Sequence, residues 1–318
     1  MSVEATHETP VNIVARQDVF LPLTSAEIHL WLTLPDAINE PDLLSAYRAL
    51  LNAAEKEQAS RYYFATDRHR YLVTRALVRT VLSRYLAVDA KDWAFSTNTY
   101  GRPEIANKEA SDCSLSFNIS HTQGLIVLAV TKGCSLGVDV ENVAARKVSI
   151  DIANRYFAAQ EVEALNAVSP GQQQYRFYEY WTLKESYIKA RGMGLYLPLD
   201  KFSFHYPKED TVELAIDPEL GDDSARWQFW QMQPTSKHLL ALCAERIGAQ
   251  SPKLIVRETV PMKSEEVVAP KPLRVSDLFR PQQGSARHAP VLPGLPASLK
   301  DVGDLSSCEE LPIGRRML

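Results

Sequence analysis

Three strand-type runs follow one another between residues 115 and 143, and they limit the folds open to this chain. LSFNIS (115–120) and LIVLAVTK (125–132) are separated by HTQG, and SLGVDVENV (135–143) begins shortly afterwards. Runs rich in aliphatic and β-branched residues with so short a connection predict a β-hairpin followed by a further strand. Ser120 and His121 are expected at the bend of the hairpin. The middle of the chain is therefore predicted to form antiparallel sheet.

Helical periodicity flanks these strands on both sides. The spacing of apolar residues predicts helical structure over 42–64, and over 66–88 with Thr66 as its N-cap. After the strands it predicts helical segments over 150–168 and 172–191, the latter stopped by glycines at 192 and 194. Further strands are predicted at 27–34, as a half-buried strand, and at 201–206, 226–232 and 238–245. The predicted class is α+β, arranged as two similar halves.

The composition changes after about residue 247. Nine of the 19 prolines lie in residues 248–318, where segments such as RPQQGSARHAPVLPGLPASLK have neither periodicity nor apolar density. Such a composition is typical of a disordered segment, although SPKLIVRETV (251–260) could add one strand. The predicted organisation is a leader (1–24), an N-terminal subdomain (25–132), a C-terminal subdomain (133–247) and a largely disordered tail (248–318).

Bulk properties exclude several functional classes. The formal net charge is -4, so no global field attracts nucleic acid or an anionic membrane. The four cysteines are far apart and form no CxxC pair, which argues against a zinc site or a disulfide framework. The first residues lack a secretory pattern, and the run LIVLAV is too short to span a bilayer. The sequence predicts a cytoplasmic protein without nucleic-acid or membrane partners.

The third strand carries two carboxylates on one face. Asp139 and Glu141 are two residues apart, so both side chains point to the same side while Val138 and Val140 point to the core. A third carboxylate, Glu185, could complete a set of oxygen ligands for Mg²⁺, which leaves other coordination positions to water and phosphate. The alternative is an ordinary solvated sheet face.

The helical segment WTLKESYIKARGMG (181–194) combines charge with aromatic surface. Glu185 and Lys189 are one turn apart and share a face, with Trp181 one turn earlier. This face could offer a metal ligand, a cation for phosphate oxygens and an aromatic wall. The alternative is an exposed Glu–Lys pair beside a buried tryptophan. Lys184 is a possible ligand or partner contact, and Tyr187 is expected to pack in the core.

Ser120 and His121 offer a hydroxyl, an imidazole and backbone N–H groups, all suited to binding phosphate. The chain has no GxSxG, GxxxxGK[ST] or GxGxxG motif. A serine nucleophile within this chain is therefore poorly supported, and phosphate binding is the better interpretation.

Four segments together resemble a known family. GVDVE (137–141) and WTLKESYIKARG (181–192) are similar to the paired signature of the 4'-phosphopantetheinyl transferases of the larger surfactin-synthetase-activator (Sfp) type. FSTNTYGRPEI (95–105) resembles that family's adenine-side loop, and FNISHT (117–122) resembles its phosphate-contacting turn. The four segments have the family's order and spacing. The resemblance extends over about residues 25–247.

The resemblance implies a monomer of two pseudo-twofold-related α/β subdomains, the 4'-phosphopantetheinyl transferase fold, with coenzyme A bound where they meet. It implies Mg²⁺ on Asp139, Glu141 and Glu185, and Lys189 on the coenzyme A diphosphate. Glu185 and Lys189 would then be the catalytic residues. The proton of the acceptor serine could go to Glu185 or to metal-bound water.

The resemblance also implies the remaining coenzyme A contacts. Ser120 and His121 would contact its phosphates, with His121 on the 3'-phosphate, and Gly101, Arg102 and Pro103 would line the adenine. Where members of the family often carry lysines for the 3'-phosphate, this chain has Glu55 and Gln58. Other cations would have to replace them, and the candidates are Lys56, Arg68, Arg70 and Arg75.

The function implied is transfer of the 4'-phosphopantetheine arm from coenzyme A to a serine of an acyl or peptidyl carrier protein, releasing adenosine 3',5'-bisphosphate. The nucleophile would then belong to the partner, which agrees with the absence of a serine-nucleophile motif. The alternative from another class is a Mg²⁺-dependent nucleotide phosphohydrolase, which would need no carrier. A binding protein without catalysis is disfavoured because all three carboxylates and Lys189 are present.

Overall fold

The computed structural model describes residues 20–145, 147–248 and 251–276. Most of the predicted leader and the chain after residue 276 lie outside the described residues. Seven α-helices are present in the described part: α1 (Pro41–Leu50), α2 (Ala53–Arg61), α3 (Ala65–Leu82), α4 (Lys108–Asp112), α5 (Asp151–Tyr156), α6 (Ala159–Ala167) and α7 (Pro170–Arg191).

The described strands form two larger sheets and two small hairpins. Those up to residue 142 are β1 (Glu27–Thr33), β2 (Phe95–Thr97), β3 (Pro103–Ile105), β4 (Leu115–Thr122), β5 (Leu125–Lys132) and β6 (Leu136–Asn142). The later ones are β7 (Phe202–His205), β8 (Glu213–Ile216), β9 (Trp227–Thr235), β10 (His238–Glu245), β11 (Lys253–Val260), β12 (Ser264–Val268) and β13 (Pro272–Val275).

The first sheet has the order β12-β11-β1-β5-β4 and the second has the order β13-β9-β10-β6. All neighbours are antiparallel except β1 and β11, which are parallel. The small sheets pair β2 with β3 and β7 with β8. The predicted hairpin of β4 and β5 is confirmed.

The two large sheets face each other across a shared apolar core. Alternate residues of β1, among them Ile28 and Leu30, join Val138 and Val140 of β6 in this core. Trp31, which lies between Leu30 and Leu32 and points to the opposite face of β1, packs with the helices of the N-terminal layer. Strand β1 was predicted to be half-buried, but both of its faces are covered, because one packs in the core between the sheets and the other packs in the core with the N-terminal helices. The order of layers is helix, sheet, sheet, helix, and the predicted α+β class is confirmed.

Two predicted helical stretches are interrupted. The stretch 42–64 splits at Leu51 and Asn52, because the Asn52 side chain caps α2 by accepting from the Glu55 N–H at 2.9 Å. The stretch 150–168 splits between Tyr156 and Ala159. Helix α3 begins at Ala65 with Phe64 at its N-cap, so the cap predicted at Thr66 is two residues too late.

The predicted end of α7 is confirmed. Gly192 lies at the C-cap with φ of 67°, and its N–H donates to the carbonyls of Ile188 and Lys189. A positive φ is readily accessible to glycine, which explains why the helix stops there.

The start of the predicted tail is corrected. Residues 253–275 form three strands: β11 pairs with β1, β12 pairs with β11, and β13 pairs with β9. The strand considered at 251–260 is present as β11, whereas β12 and β13 lie in the stretch that was expected to be disordered. The partner of β13 lies about 40 residues away, and local composition does not record such a pairing. No helix in the described part of the chain is long and apolar enough to cross a membrane. The pseudo-twofold relation between the halves stays a prediction.

Candidate active site

The site is built where helix α7 crosses strand β6. A Cβ atom on Gly137 would lie 2.1 Å from the Ser186 carbonyl oxygen and 2.3 Å from the Ala190 nitrogen. Real Cβ atoms do not approach backbone this closely, so the two elements can touch here only because residue 137 is glycine. The contact brings the last turns of α7 directly over the strand that carries Asp139.

Lys189 closes this contact with a cluster of oxygen acceptors. Its Nζ lies 2.7 Å from Asp139 Oδ1, 3.1 Å from Ser120 Oγ and 3.1 Å from the Val138 carbonyl oxygen. The Ser120 hydroxyl in turn donates to Asp139 Oδ1 at 3.1 Å. Three of the residues predicted for the site therefore come together from β4, β6 and α7.

Strands β4 and β6 meet through side chains at this edge. Asn118 Oδ1, Ser120 Oγ and Thr122 Oγ1 of β4 accept from the backbone N–H groups of Val138, Val140 and Asn142. Alternate residues of β4 thus point towards β6 and replace a backbone ladder. This seam joins the two sheets at the site.

The structure corrects the predicted position of Ser120 and His121. Both lie within β4, and the bend falls at Gln123 and Gly124. Because successive strand residues point to opposite faces, Ser120 faces β6 while His121 lies on the face where Ile119 packs against the N-terminal core. The two side chains therefore lie on opposite faces of β4, and contact of either with phosphate stays a prediction.

Glu185 has a perturbed acidity. Burial, reinforced by the nearby Asp139 carboxylate, raises the pKa of Glu185 to about 7, and the Lys189 ammonium opposes this shift. Its Oε1 is buried with no hydrogen-bond partner, as is Oδ2 of Asp139. Two buried carboxylate oxygens without donors are suited to a cation.

The predicted set of three metal ligands is not assembled in the structure. No group of three or more His, Cys, Asp or Glu side chains that could hold a metal ion is present among residues 20–145, 147–248 and 251–276. Asp139 and Glu141 do share a face of β6, but Asp139 Oδ1 is taken by Lys189, which neutralises it directly. The carboxylate oxygens of Asp139 and Glu185 are of the type that binds Mg²⁺. In the described residues, however, these side chains and Glu141 are not arranged as a group of three ligands.

The loop predicted to line the adenine docks on the end of α7. Asn98 Oδ1 accepts from the N–H groups of Tyr100 and Arg102, which closes the turn around Gly101, and Asn98 Nδ2 donates to the Gly192 carbonyl. The Arg102 guanidinium donates to the carbonyls of Ala190 and Leu136. Arg102 therefore joins the loop to both α7 and β6. Contact of Gly101, Arg102 and Pro103 with adenine stays a prediction.

One of the cations predicted to bind the 3'-phosphate, Arg75, is paired inside the protein. Arg75 is buried and donates to Glu55 through Nε at 2.6 Å, and Arg79 donates to the other Glu55 oxygen. The glutamate that departs from the family pattern is thus an internal partner of two arginines, which leaves one positive charge in excess.

Three further cations belong to the same prediction. Arg70 pairs with Asp67, Arg68 donates to the Tyr62 carbonyl, and Lys56 is exposed. Binding of the 3'-phosphate by any of these residues or by Arg75 stays a prediction.

Three residues of the 181–194 segment have structural roles. Lys184 was considered a possible ligand or partner contact, but it is fully buried and pairs with Glu161 at 2.7 Å. Trp181 is also buried, stacked on Phe177, and forms no exposed aromatic wall. Tyr187 packs in the core as predicted.

The chain is similar in sequence to known proteins over both of its halves. A family model described as the 4'-phosphopantetheinyl transferase superfamily matches residues 135–243, and one described as the N-terminal part of 4'-phosphopantetheinyl transferase matches residues 39–133. The 4'-phosphopantetheinyl transferase HetI of Nostoc sp. is 30% identical over 72% of this chain and 92% of its own length. The chain belongs to the 4'-phosphopantetheinyl transferase superfamily.

Other relatives support the assignment. The 4'-phosphopantetheinyl transferase Sfp of Bacillus subtilis is 33% identical over 62% of this chain and 84% of its own length. A phosphopantetheinyl transferase of Thraustochytrium sp. is 28% identical over 70% of this chain and 83% of its own length. The predicted resemblance to the Sfp type is confirmed, and the chain is an enzyme of the 4'-phosphopantetheinyl transferase class.

Membership in the superfamily explains the division of the site. Ser120 lies in the segment matched by the N-terminal family model, whereas Asp139, Glu185 and Lys189 lie in the segment matched by the second model. The Lys189 cluster is therefore a junction between two parts of a 4'-phosphopantetheinyl transferase. Sequence reasoning missed Gly137, Asn98 and Asn118 as residues that build this junction. The signals available were the motifs that contain them: GVDVE for Gly137, FSTNTYGRPEI for Asn98 and FNISHT for Asn118.

Proposed function

We propose that this chain transfers the 4'-phosphopantetheine arm of coenzyme A to a serine hydroxyl of an acyl or peptidyl carrier protein and releases adenosine 3',5'-bisphosphate. The observation that carries the proposal is the cluster of Lys189, Asp139 and Ser120, which unites both matched segments in one charged, partly buried site. In the reaction, the serine oxygen bonds to the β-phosphorus of coenzyme A, and the bond from that phosphorus to the bridging oxygen breaks.

Lys189 and Ser120 bind the diphosphate in this proposal. The ammonium of Lys189 presents fixed positive charge beside the phosphate oxygens, where charge accumulates on the leaving bisphosphate. Ser120 supplies a hydroxyl that can turn from Asp139 to a phosphate oxygen. His121, on the other face of β4, binds the 3'-phosphate of coenzyme A in this proposal.

Mg²⁺ would be held by Asp139 and Glu185, with Glu141 as a third ligand from the same face of β6. When bound, it would neutralise negative charge on the diphosphate. Asp139 Oδ2 and Glu185 Oε1 would supply ligand oxygens, because both are buried without a hydrogen-bond partner, whereas Asp139 Oδ1 is paired with Lys189.

Glu185 can accept the proton of the incoming serine. A carboxylate with an ordinary pKa near ~4 is a weak base at neutral pH. Without a bound cation, burial and the Asp139 charge raise the pKa of Glu185 to about 7, so this carboxylate is a stronger base than an ordinary glutamate. The carrier supplies the nucleophile, so no serine of this chain has to be activated.

The proposal is tested by incubating the protein with an apo carrier protein, coenzyme A and Mg²⁺, and measuring the carrier by intact mass spectrometry. We expect the carrier to gain one phosphopantetheine per serine site. Asp139→Ala and Lys189→Ala should lower the rate at least about a hundredfold, whereas Lys208→Ala, at an exposed lysine, should not change it. Release of inorganic phosphate from nucleotides without a carrier would instead support a phosphohydrolase and overturn the proposal.

A further inference from the structure

The last described strand, β13, lies outside both segments matched by the family models. It forms the edge of the second sheet, where Arg274 pairs in register with Gln231 of β9. Two further contacts fix the end of the strand: the Phe229 N–H donates to Ser276 Oγ at 2.9 Å, and Gln228 Nε2 donates to the Ser276 carbonyl at 3.0 Å. The strand is thus firmly joined to β9.

Arg274 points from this strand into the protein. Its Nη1 donates to Glu179 Oε1 at 2.6 Å and to Gln231 Oε1 at 2.8 Å, and its guanidinium lies 4.2 Å from the centre of the Tyr206 ring. Arg274 is 8% exposed and Glu179 is 4% exposed. A buried, charge-assisted hydrogen bond of this kind fixes geometry more firmly than a surface ion pair.

Glu179 belongs to α7, the helix that carries Glu185 and Lys189. It precedes Glu185 by six residues, about 9 Å along the helix axis at 1.5 Å per residue. Gln231 strengthens the anchor because its Nε2 donates to the Glu179 carbonyl at 2.9 Å and to Thr182 Oγ1 at 3.3 Å. At Glu179, Arg274 therefore holds the side-chain carboxylate and Gln231 holds the backbone carbonyl.

The second anchor of α7 is its contact with Gly137. Ser186, whose carbonyl approaches Gly137, is seven residues after Glu179 and lies on the same face of the helix. A rigid helix fixed at both levels has little freedom to slide or rotate over β6. Arg274 and Gln231 thus fix α7 at the level of Glu179, and the contact at Gly137 fixes it at the level of Ser186.

We propose that Arg274 is a positioning residue for the coenzyme A site: through Glu179 and Gln231 it sets the placement of α7, and thereby of Lys189 and Glu185 against Asp139. The inference rests on the proposed function, since coenzyme A is taken as the ligand. It assigns to a strand beyond the family-matched segments a part in building the site. Substrate binding then depends on a residue that does not itself touch substrate.

The test compares Arg274→Met and Arg274→Lys with a control on the same C-terminal segment. Glu265→Gln is that control, because Glu265 pairs with Arg84 of the N-terminal layer. Coenzyme A affinity is measured by calorimetric titration, and KM for coenzyme A is measured in the carrier assay, both well below the Tm of every variant. A loss of folded protein lowers the amount of active enzyme but leaves KM and Kd unchanged.

We expect Arg274→Met to raise Kd and KM for coenzyme A about tenfold, because displacement of charged groups by a fraction of an ångström weakens their contacts. Arg274→Lys, which keeps the buried charge, should recover part of the affinity, and Glu265→Gln should stay within about twofold of wild type. Unchanged Kd and KM in folded Arg274→Met, or an equal rise in Glu265→Gln, would overturn the inference.

Two further results of these measurements are informative. If Arg274→Met does not fold, Arg274→Lys decides by the same criterion, with at least about a threefold rise in Kd expected and an unchanged Kd overturning the inference. Wild-type protein that binds coenzyme A but transfers nothing to a carrier would contradict the proposed function while leaving the positioning role measurable by calorimetry.

Discussion

At position 137, strand β6 carries a hydrogen atom where any other residue would carry Cβ. The space is occupied by the backbone of α7, since the Ser186 carbonyl and the Ala190 N–H lie where a methyl group would be. One glycine therefore sets the distance between the strand with Asp139 and the helix with Lys189. The 2.7 Å ion pair between these two residues depends on that distance.

Gly137→Ala should separate α7 from β6. The added methyl group meets backbone atoms that cannot rotate away, so we expect a loss of about 1–3 kcal/mol in the free energy of unfolding and at least about a tenfold loss of transfer activity. Denaturant unfolding and the carrier assay measure the two effects. Gly171→Ala is the matched control, because nothing lies within 4 Å of a Cβ at that position. Wild-type activity in Gly137→Ala would contradict this account of the contact.

Glu185 should give the protein a stability that falls as pH rises. Its pKa is raised to about 7 by burial and by Asp139, from a reference of 4.5. The folded protein thus keeps a proton that the unfolded chain has released, and this contribution is lost as pH rises from about 4.5 through 7. The effect amounts to at most about 3 kcal/mol.

Glu185→Gln should remove this pH dependence. In the absence of divalent cations we expect the variant to have a higher Tm than wild type at pH 8 and a similar Tm at pH 5, while its transfer activity is largely lost. Scanning calorimetry across this pH range, with EDTA present, measures the difference. A variant less stable than wild type at pH 8 would show that the carboxylate stabilises the fold in its charged form.

At the scale of elements, helix α7 is held along its whole length. Lys184 is fully buried and donates to the carbonyls of Leu199 and Phe202, both at 2.7 Å, in addition to its pair with Glu161 of α6. Burial lowers the pKa of Lys184 and raises that of Glu161, while each partner opposes the shift of the other. The pair therefore joins α6 and α7 to the start of β7.

Glu161→Gln should leave the Lys184 charge buried without its counter-ion. We expect a loss of about 3–5 kcal/mol in the free energy of unfolding, measured by denaturant titration. Glu163→Gln, at an exposed position on the same helix, should change it by less than about 0.5 kcal/mol. The double variant Glu161→Gln/Lys184→Met should recover part of the loss, because no unpaired charge remains. Equal effects of the Glu161 and Glu163 variants would contradict the importance of this pair.

At the scale of the whole molecule, residues 251–276 complete both sheets. Strand β11 covers the edge of β1 and places Val256 in the core between the sheets, while β13 covers the edge of β9. A sheet edge that loses its covering strand exposes unpaired backbone N–H and C=O groups, which favours aggregation. The segment is therefore a part of the folded protein, although its composition resembles that of the tail.

Truncation after Gly248 should cause aggregation or lower Tm by about 10 °C or more, because both sheets lose strands and the core loses apolar surface. Truncation after Ser276, which keeps every described strand, should leave Tm within about 3 °C of the full-length protein. Size-exclusion chromatography and thermal unfolding distinguish the two variants. A stable, monodisperse protein ending at Gly248 would show that the three strands are dispensable.

The sequence by itself determined the features that arise within one element. Alternation placed Asp139 and Glu141 on one face of β6, helical spacing placed Glu185 and Lys189 one turn apart, and Gly192 ended α7 as predicted. Local backbone preferences and periodicity suffice for these features. The motifs also carried the family assignment, which the comparisons confirmed.

Only the tertiary structure decided how distant residues combine. Lys189 and Asp139 are 50 residues apart, and Arg274 and Glu179 are 95 residues apart. No periodicity within a strand or helix records such a contact, because its free energy comes from burial and charge pairing after the elements have packed. The same reason explains why Lys184 became a buried structural cation, why Glu55 became the partner of two arginines, and why a proline-rich segment supplied the strands that complete both sheets.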